Sequence, residues 1–461
     1  MSMLTKNVFV IGVLLAFGIA WHIAQFNLAL MAVVLIATLF IYNECNIIYL
    51  EALGKPIVVL NSATAVYDLL DKRSSIYSDR PPLMLVLRPY GDVFKAQRKL
   101  VAHDFSQSVI PNYYSIQELE ARKLVFGILN DPTSLVSQIE HRVASIILRV
   151  TYGYTVKEED VPMMTTALAA HHNFSNAAMP GTRLVDAIPC LQYLPSWAPG
   201  AKFLRTASEW RETVRQASWN PYLWCKENLD NGIASTPNLC ATTVIEKGGQ
   251  LTHDEEVALV SAALTVLGGA LETNLQKRRR KLTPLWGTIW LPTITDKECL
   301  PYIRSLIAEM YRWAPALPLS LPHALRQDDS YEGFHIPRGS AVIANVWHML
   351  RDPDVYANPT EFRPERYGGD EVAIRKVTDL TFGFGRRACP GLAFAEGSMF
   401  AIMSTILATC DIISAKDSQG KDIIPQLKYT GDVIILPENV QCDIRPRSAR
   451  SRTLLSEALI L

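Results

Sequence analysis

The ten residues from Phe382 to Gly391 constrain the fold of this chain more than any other segment. They read F-G-F-G-R-R-A-C-P-G, and an apolar helical pattern follows directly. The glycines let backbone approach a flat ligand closely, and N–H groups at the start of a helix stabilise a thiolate at Cys389. A lone cysteine in a glycine-rich turn is more often a buried structural thiol. The spacing F-x-x-G-x-R-x-C-x-G fixes several positions at once, so it favours a metal-ligating cysteine.

Charge and cysteine content exclude several other classes of protein. Lys and Arg total 45, as do Asp and Glu, so the formal net charge is zero. This gives no overall electrostatic reason to expect nucleic acid or a strongly acidic partner. The eight cysteines include no C-x-x-C pair and no tight cluster of the kind that zinc sites and disulfide scaffolds use. We therefore expect a reducing compartment, with most cysteines acting as small buried hydrophobes.

The start of the chain is strongly apolar. Residues 7–43 contain no Asp, Glu, Lys or Arg, and a membrane-spanning helix needs only about 20 such residues. We expect residues 1–43 to form a single uncleaved membrane anchor. Two short segments folded as a hairpin are an alternative, because Trp21, His22, Gln25 and Asn27 interrupt the run. A cleavable signal peptide is another, although the run is longer than such peptides use and no clear cleavage site ends it.

Residues 44–461 contain no internal repeat and no long linker, so one continuous globular unit is expected. Apolar spacing predicts helices at Ala63–Asp71, Ile116–Leu129, Leu135–Thr151, Lys202–Asn228, Asp254–Thr273, Tyr302–Trp313 and Gly391–Leu407. The strand candidates are few and short: Pro56–Leu60, Tyr331–Ile336, Ala341–Asn345 and Asp432–Leu436. The predicted fold class is mainly α with a minor β-sheet, preceded by an N-terminal transmembrane segment.

Glu309 and Arg312 lie three residues apart, which places both charges on one face of a helix. Such pairs are common on protein surfaces and are worth only ~0.3 kcal/mol. Their order along the chain carries more weight, because the segment F-R-P-E-R-Y with Arg366 lies downstream and the cysteine motif follows it.

Three further segments contain candidate functional residues. Gly268 and Gly269 precede Glu272 and Thr273 inside an apolar helical pattern. Each glycine is unfavourable in a helix by ~1 kcal/mol, so either close helix packing or a ligand is expected there. The other two segments are G-D-V-F-K-A-Q-R, which ends at Arg98, and L-P-H, which ends at His323.

Taken in this order, the motifs resemble those of the cytochrome P450 family, and the resemblance covers most of the chain after residue 44. It implies the cytochrome P450 fold for residues 44–461, as a haem-binding catalytic domain. By this resemblance, Cys389 is the axial ligand of the iron of haem b, and Arg387 pairs with a haem propionate. Phe382, Gly385 and Gly391 complete the cofactor-binding loop.

The resemblance also assigns the other candidates. Glu272 and Thr273 become the catalytic acid and alcohol that deliver protons. Arg98 and His323 become propionate partners, although a surface or core histidine is nearly as common for His323. Phe94 stands where the family usually has Trp, which removes one N–H donor to haem. Glu309, Arg312 and Arg366 form a buried structural network that braces the haem-binding side.

The implied activity is insertion of one oxygen atom from dioxygen into a hydrophobic organic substrate. No glycine-rich dinucleotide fingerprint follows a strand, so NADPH is expected to bind a partner, NADPH-cytochrome P450 reductase. Arg386 is a candidate for the docking face. Ala316–Leu319 and Val266–Ala270 are expected to line an apolar substrate cavity. Within the family, the chain resembles fungal secondary-metabolism and xenobiotic oxidases, including those resembling O-methylsterigmatocystin oxidoreductase. The expected location is the endoplasmic reticulum membrane, with the catalytic domain on the cytosolic side.

Two alternatives remain open at this point. One is a haem-thiolate isomerase or dehydratase that transfers no oxygen, which the presence of Glu272 and Thr273 argues against. The other is an inactive membrane protein with a haem fold, because the chain lacks a helix that the family has after residue 274. Residues 275–290 combine a basic run with two tryptophans and show no helical period. We expect this segment to be the product of a wrong exon boundary or a frame error in the coding region.

Overall fold

The computed structural model describes residues 45–52, 54–81, 88–156, 161–178, 185, 189–198, 200–233, 237–273, 290–416, 418–423, 428–430, 433–435, 437–438 and 442–459. For residues 52, 133, 161, 178, 189 and 270–273 it describes the backbone alone. The expected membrane anchor at residues 1–43 and nearly all of the segment 275–290 lie outside the described residues.

Helices make up most of the described chain. In order, the α-helices are α1 (Ala63–Val66), α2 (Ser74–Tyr77), α3 (Asp92–Asp104), α4 (Tyr114–Asn130), α5 (Leu135–Tyr152), α6 (Val161–Ala178), α7 (Lys202–Asp230), α8 (Leu239–Glu246), α9 (His253–Thr273), α10 (Pro301–Trp313), α11 (Val346–Met349), α12 (Glu371–Thr381), α13 (Leu392–Thr409) and α14 (Ala449–Glu457). A π-helix, Tyr67–Lys72, joins α1 to α2. Short 3₁₀ turns lie at Ile110–Tyr113, Pro132–Ser134, Pro189–Tyr193, Ile294–Cys299, Pro364–Arg366 and Gly385–Arg387.

Within the described residues, the strands form three small sheets. They are β1 (Ile47–Ala52), β2 (Lys55–Leu60), β3 (His323–Ala324), β4 (Asp329–Tyr331), β5 (Phe334–Ile336), β6 (Ala341–Ala344), β7 (Cys410–Ile413) and β8 (Asp443–Pro446). The largest sheet has the order β1-β2-β6-β3, in which β2 and β6 run parallel with Val58 opposite Val342. The fold is therefore mainly α with minor β, as the sequence predicted.

All seven predicted helices are present, with ends displaced by a few residues at most. Two strand predictions are wrong. The segment Tyr331–Ile336 is not one strand, because Glu332 and Gly333 adopt positive φ and turn the chain into the β4–β5 hairpin. Residues 433–435 are irregular and not part of a strand, which leaves the prediction over Asp432–Leu436 unsupported in its described part.

The core is built around α13, which carries the residues that follow the cysteine loop. It packs against α4, where the buried Gln117 side chain donates to the Phe394 carbonyl at 2.8 Å and to Ser398 Oγ at 2.7 Å. Gly397 permits this approach, since a Cβ there would lie 3.0 Å from Gln117 Oε1. Among the described helices α13 alone is long and apolar enough to cross a membrane, but 67% of it is buried in the protein, as in a core helix.

A second apolar cluster surrounds the first half of α9. It joins α9 to α3, α5, α7 and α8, and includes Leu259, Ala263 and Leu267 from α9 with Val101 from α3. Phe394, in the first turn of α13, belongs to the same cluster. The helix with the glycine pair and the helix after the cysteine are thus held by one body of apolar packing.

Candidate functional site

The cysteine loop connects α12 to α13 in a conformation that its glycines make accessible. Gly383 and Gly385 have φ of +83° and +52°, a region that residues with a Cβ rarely adopt. The Cys389 backbone N–H donates to the Phe382 carbonyl at 2.7 Å, which closes the loop. Cys389 is therefore held two residues before the cap of α13, where the sequence placed it.

The Cys389 side chain is accessible, yet it lies deep within the protein. Burial raises the pKa of its thiol, while the Gly391 N–H and the Arg98 guanidinium act in the opposite direction. An accessible side chain that protein surrounds lies in an internal space and not on the outer surface. This is the environment expected of a cysteine that binds a ligand filling that space.

Basic side chains converge beside this space. Arg387 donates from Nε to the Ser78 carbonyl at 2.8 Å and from Nη2 to the Arg88 carbonyl at 2.9 Å. Its guanidinium lies 3.7 Å from the ring centre of Phe94, a cation–π contact. Burial, followed by smaller contributions that include Arg98, lowers the pKa of Arg387 to about 10.

Arg98 reaches the same region from α3. Burial lowers the pKa of its guanidinium, and the Cys389 thiol is the one neighbour that raises it. The Arg98 side chain forms no hydrogen bond and no ion pair with any residue that the structure describes. The side chain is thus a partly buried cation directed toward the cysteine, without an anion beside it.

Arg80 belongs to this cluster, and the sequence did not single it out. Its Nη1 donates to the carbonyls of Leu321 and Pro322 at 2.6 and 2.7 Å, but its buried Nε has no partner. Burial and the charge of Arg387 lower the pKa of Arg80 to about 9. Its only sequence signal was an arginine in front of two prolines, which marks a turn and not a ligand site.

His323 lies in the same cluster, on the short strand β3. It is 3% exposed, and its Nδ1 donates to the Tyr77 carbonyl at 2.8 Å, because a carbonyl can only accept. Burial, together with the charges of Arg80 and Arg387, lowers its pKa to about 3. His323 is therefore a neutral core histidine beside two arginines. The basic cluster, defined as Arg80, Arg98, His323 and Arg387, contains all three of the predicted propionate partners.

The predicted charge network is present and fully buried. Arg312 donates to both carboxylate oxygens of Glu309, at 2.7 and 2.9 Å, and both side chains are 0% exposed. Arg366 Nε lies 3.1 and 3.2 Å from the same oxygens. The Arg363 N–H and the Tyr367 hydroxyl also donate to Glu309, at 2.7 and 3.1 Å. Arg312 also donates hydrogen bonds to the backbone carbonyls of residues 350, 359 and 361.

This network is connected to the cysteine loop through α10. Tyr311, between Glu309 and Arg312, packs edge-on against Phe382 with ring centres 5.2 Å apart. The Phe382 carbonyl is the acceptor for the Cys389 N–H. The network therefore supports the cysteine loop through the contact of Tyr311 with Phe382.

The glycine pair of α9 lies beside open space. A Cβ at Gly268 or at Gly269 would meet no described atom within 4 Å. Among the described residues no side chain or neighbouring helix packs against these glycines, which favours a space for a ligand over close helix packing. Glu272 and Thr273 end α9, but their side chains lie outside the described part of the structure.

Comparison with known proteins identifies this arrangement. The profile "Cytochrome P450" matches residues 277–442. Cytochrome P450 monooxygenase 105 of Postia placenta is 48% identical over 444 residues, covering 90% of this chain and 85% of that protein. A cytochrome P450 monooxygenase of Armillaria gallica is 35% identical over 442 residues, covering 89% of this chain and 87% of its own length.

The fold comparison agrees. A solved structure of a zebra fish cytochrome P450 with abiraterone superposes with a TM-score of 0.66 at 20% identity, covering 87% of this chain and 97% of the other. At that identity the likeness concerns the fold alone. The fungal relatives, with the cysteine loop, make the chain an oxidoreductase of the monooxygenase type. The chain belongs to the cytochrome P450 family, whose members bind haem through a cysteine thiolate.

Proposed function

We propose that this chain inserts one oxygen atom from dioxygen into a hydrophobic organic substrate, with Cys389 as the axial ligand of haem b. The observation that carries the proposal is the combination of an enclosed, accessible thiol with three arginines that form no ion pair with a described carboxylate. Asp79 lies near enough to raise the pKa values of Arg80 and Arg387, but no carboxylate acts on Arg98. A buried cation without a partner is costly, and two propionates would supply the missing anions.

The residues present fit this cofactor. Arg80 offers an unused buried Nε, Arg98 offers its whole guanidinium, and Arg387 lies between them with two N–H groups on carbonyls. The loop glycines leave room for a flat ring system. Phe94, in place of a tryptophan, retains the aromatic contact with Arg387 but offers no N–H. Bound haem supplies dioxygen binding and O–O cleavage, which thiolate donation favours.

The chain's own residues then have separable tasks. The Gly391 N–H and Arg98 favour the thiolate form of Cys389. The open space beside Gly268 and Gly269 admits the small reactant. We assign Glu272 and Thr273 to proton delivery into that space, because proton transfer needs groups within hydrogen-bond or one-water reach.

The substrate and the partner follow from the same reasoning. Ala316 is buried, and Leu317–Leu319 are partly buried, next to the sheet that carries His323. These apolar side chains favour oily, poorly charged substrates, and we propose a role in fungal secondary metabolism or xenobiotic oxidation. NADPH-cytochrome P450 reductase is the proposed electron donor. The proposed location is the endoplasmic reticulum membrane, with residues 1–43 as the anchor.

A carbon monoxide difference spectrum of the reduced protein tests the ligand assignment. We expect the red-shifted thiolate band in the native protein and its loss in Cys389→Ser, because a neutral hydroxyl is a poor donor to iron. Cys299→Ser, at an exposed cysteine, is the matched control and should retain the band. Persistence of the band in Cys389→Ser would overturn the assignment.

Turnover with reductase and NADPH tests the reaction class. Oxygen from labelled dioxygen should enter the product of a monooxygenase, whereas an isomerase or dehydratase would form product without it. Thr273→Ala should retain the thiolate band but consume NADPH with less product, because its alcohol is lost from the proton path. Unchanged coupling would mean that another group delivers the proton.

A further inference from the structure

The cysteine loop rests directly on the π-helix Tyr67–Lys72. The Gly385 N–H donates to Asp71 Oδ1 at 2.6 Å, between residues 314 positions apart in sequence. One residue earlier in the loop, Phe384 packs edge-on against Tyr67, with ring centres 6.4 Å apart. The loop therefore has a second support besides the one that α10 provides through Tyr311 and Phe382.

The contact at Gly385 is too close for any side chain. A Cβ there would lie 2.2 Å from the Leu70 carbonyl oxygen and 2.8 Å from Ser74 Cβ. The positive φ of Gly385 disfavours other residues as well. The loop backbone thus lies against the helix backbone at this point, and the Asp71 side chain accepts the hydrogen bond of the Gly385 N–H there.

The π-helix carries two carboxylates, and each binds a different part of the protein. Asp68 Oδ2 accepts from the Tyr331 hydroxyl at 2.8 Å, and Asp68 Oδ1 accepts from Lys72 at 2.7 Å. Asp68 therefore supports the β4–β5 hairpin, whereas Asp71 supports the cysteine loop. Widened turns of this kind are rare and are found frequently at functional sites.

We infer that Asp71 is a positioning residue for Cys389: its bond to Gly385 holds the loop in the shape that keeps the thiolate on the iron. The inference rests on the proposed role of Cys389 as the axial ligand. Hydrogen bonds from backbone N–H groups to a carboxylate are stronger than neutral ones. Without it, the loop keeps the Phe382–Cys389 bond and the bonds from Arg387 to the Ser78 and Arg88 carbonyls, but loses the bond that fixes the Gly385 backbone against the π-helix.

The test measures retention of the thiolate by the haem-loaded protein. The reduced carbon monoxide complex is held in mild urea, and decay of the thiolate band into the band of the thiol-ligated form is followed. We expect Asp71→Ala to accelerate this decay roughly fivefold to tenfold, as loss of one hydrogen bond to a charged group would. Asp71→Asn retains an acceptor oxygen and should stay within about twofold of the native rate.

Asp68→Ala is the matched control, because it alters the same π-helix without touching the loop. Amide hydrogen exchange at Gly385 is the second readout: Asp71→Ala should accelerate it, and Asp68→Ala should not. Equal behaviour of Asp71→Ala and Asp68→Ala in both measurements would overturn the inference. If Asp71→Ala does not accumulate, fast exchange at Gly385 in the native protein overturns it, and slow exchange that Asp71→Asn preserves supports it.

The outcome is separable from that of the proposed function. A native protein without the thiolate band, or a Cys389→Ser variant that retains it, contradicts the axial-ligand assignment. A native band that depends on Cys389 but is indifferent to Asp71 contradicts only the positioning role.

Discussion

The Glu309 network and the basic cluster are both sets of buried charges, and they differ in how those charges are satisfied. Around Glu309, two arginines, a tyrosine and a backbone N–H surround one carboxylate, and the remaining guanidinium N–H groups reach carbonyls. Around Cys389, Arg80 has an unused Nε and Arg98 has no partner among the described residues. A satisfied network stabilises a fold, whereas an unsatisfied one at an accessible thiol marks a binding site.

Removing the charge at the centre of the satisfied network should have the largest effect. Glu309→Gln leaves Arg312 and Arg366 as buried cations without an anion, which we expect to lower the free energy of unfolding by about 3–5 kcal/mol. Urea unfolding followed by circular dichroism measures the change. Glu365→Gln, next to Arg366 but exposed, should change it by less than about 0.5 kcal/mol. Equal effects would remove the distinction between the two regions.

The basic cluster should make the stability of the haem-free protein depend on pH. The pKa of His323 is lowered from 6.5 to about 3 in the fold, so below pH 6.5 the unfolded chain binds a proton that the folded chain excludes. The free energy of unfolding is therefore not reduced by His323 above pH 6.5. It falls as the pH drops from 6.5 toward 3, by up to about 1.4 kcal/mol per pH unit.

Unfolding midpoints at pH 7 and pH 5, with and without haem, measure this slope. His323→Gln can still donate to the Tyr77 carbonyl and should remove most of it, whereas exposed His335→Gln should not. Bound haem should reduce the slope, because propionates compensate the arginines that oppose protonation of His323. A slope that His323→Gln leaves intact would assign the dependence to another group.

Arg98→Met should separate folding from binding. Since Arg98 has no hydrogen bond or ion pair with a described residue, its loss should change the stability of the haem-free protein by less than about 1 kcal/mol. Haem release to apomyoglobin should accelerate about tenfold, because one charged donor to a propionate is lost. Arg211→Met, on the exposed side of α7, is the control. A large loss of haem-free stability would place Arg98 with the structural charges.

The smallest effect is expected at Phe94. Phe94→Leu retains an apolar side chain but removes the ring against which Arg387 packs, a contact worth about 0.5–1 kcal/mol. Haem release should accelerate about twofold to fivefold, with no change in the thiolate band. An effect as large as that of Arg98→Met would mean that the ring also positions the donor groups of Arg387.

The sequence predicted most of what depends on local pattern. The cysteine loop, the pairing of Glu309 with Arg312, and the long helices follow from spacing over a few residues. Arg366 and Arg387 were predicted because the order of the motifs along the chain connects segments that are far apart in sequence. Arg80 and the bond between Asp71 and Gly385 were missed, because they arise where distant segments meet and neither residue carries a local signature. The Tyr331–Ile336 strand failed for a local reason, because Glu332 and Gly333 form a turn inside the predicted strand.

The open space beside Gly268 and Gly269 has a consequence for the evolution and engineering of this enzyme. Replacing either glycine by alanine adds a methyl group that meets no described atom, and it favours the helix by up to ~1 kcal/mol. Under the proposed function, alanine at either position would narrow the ligand space while the helix gains stability. Selectivity can therefore drift or be selected here without the stability loss that most mutations near an active site impose.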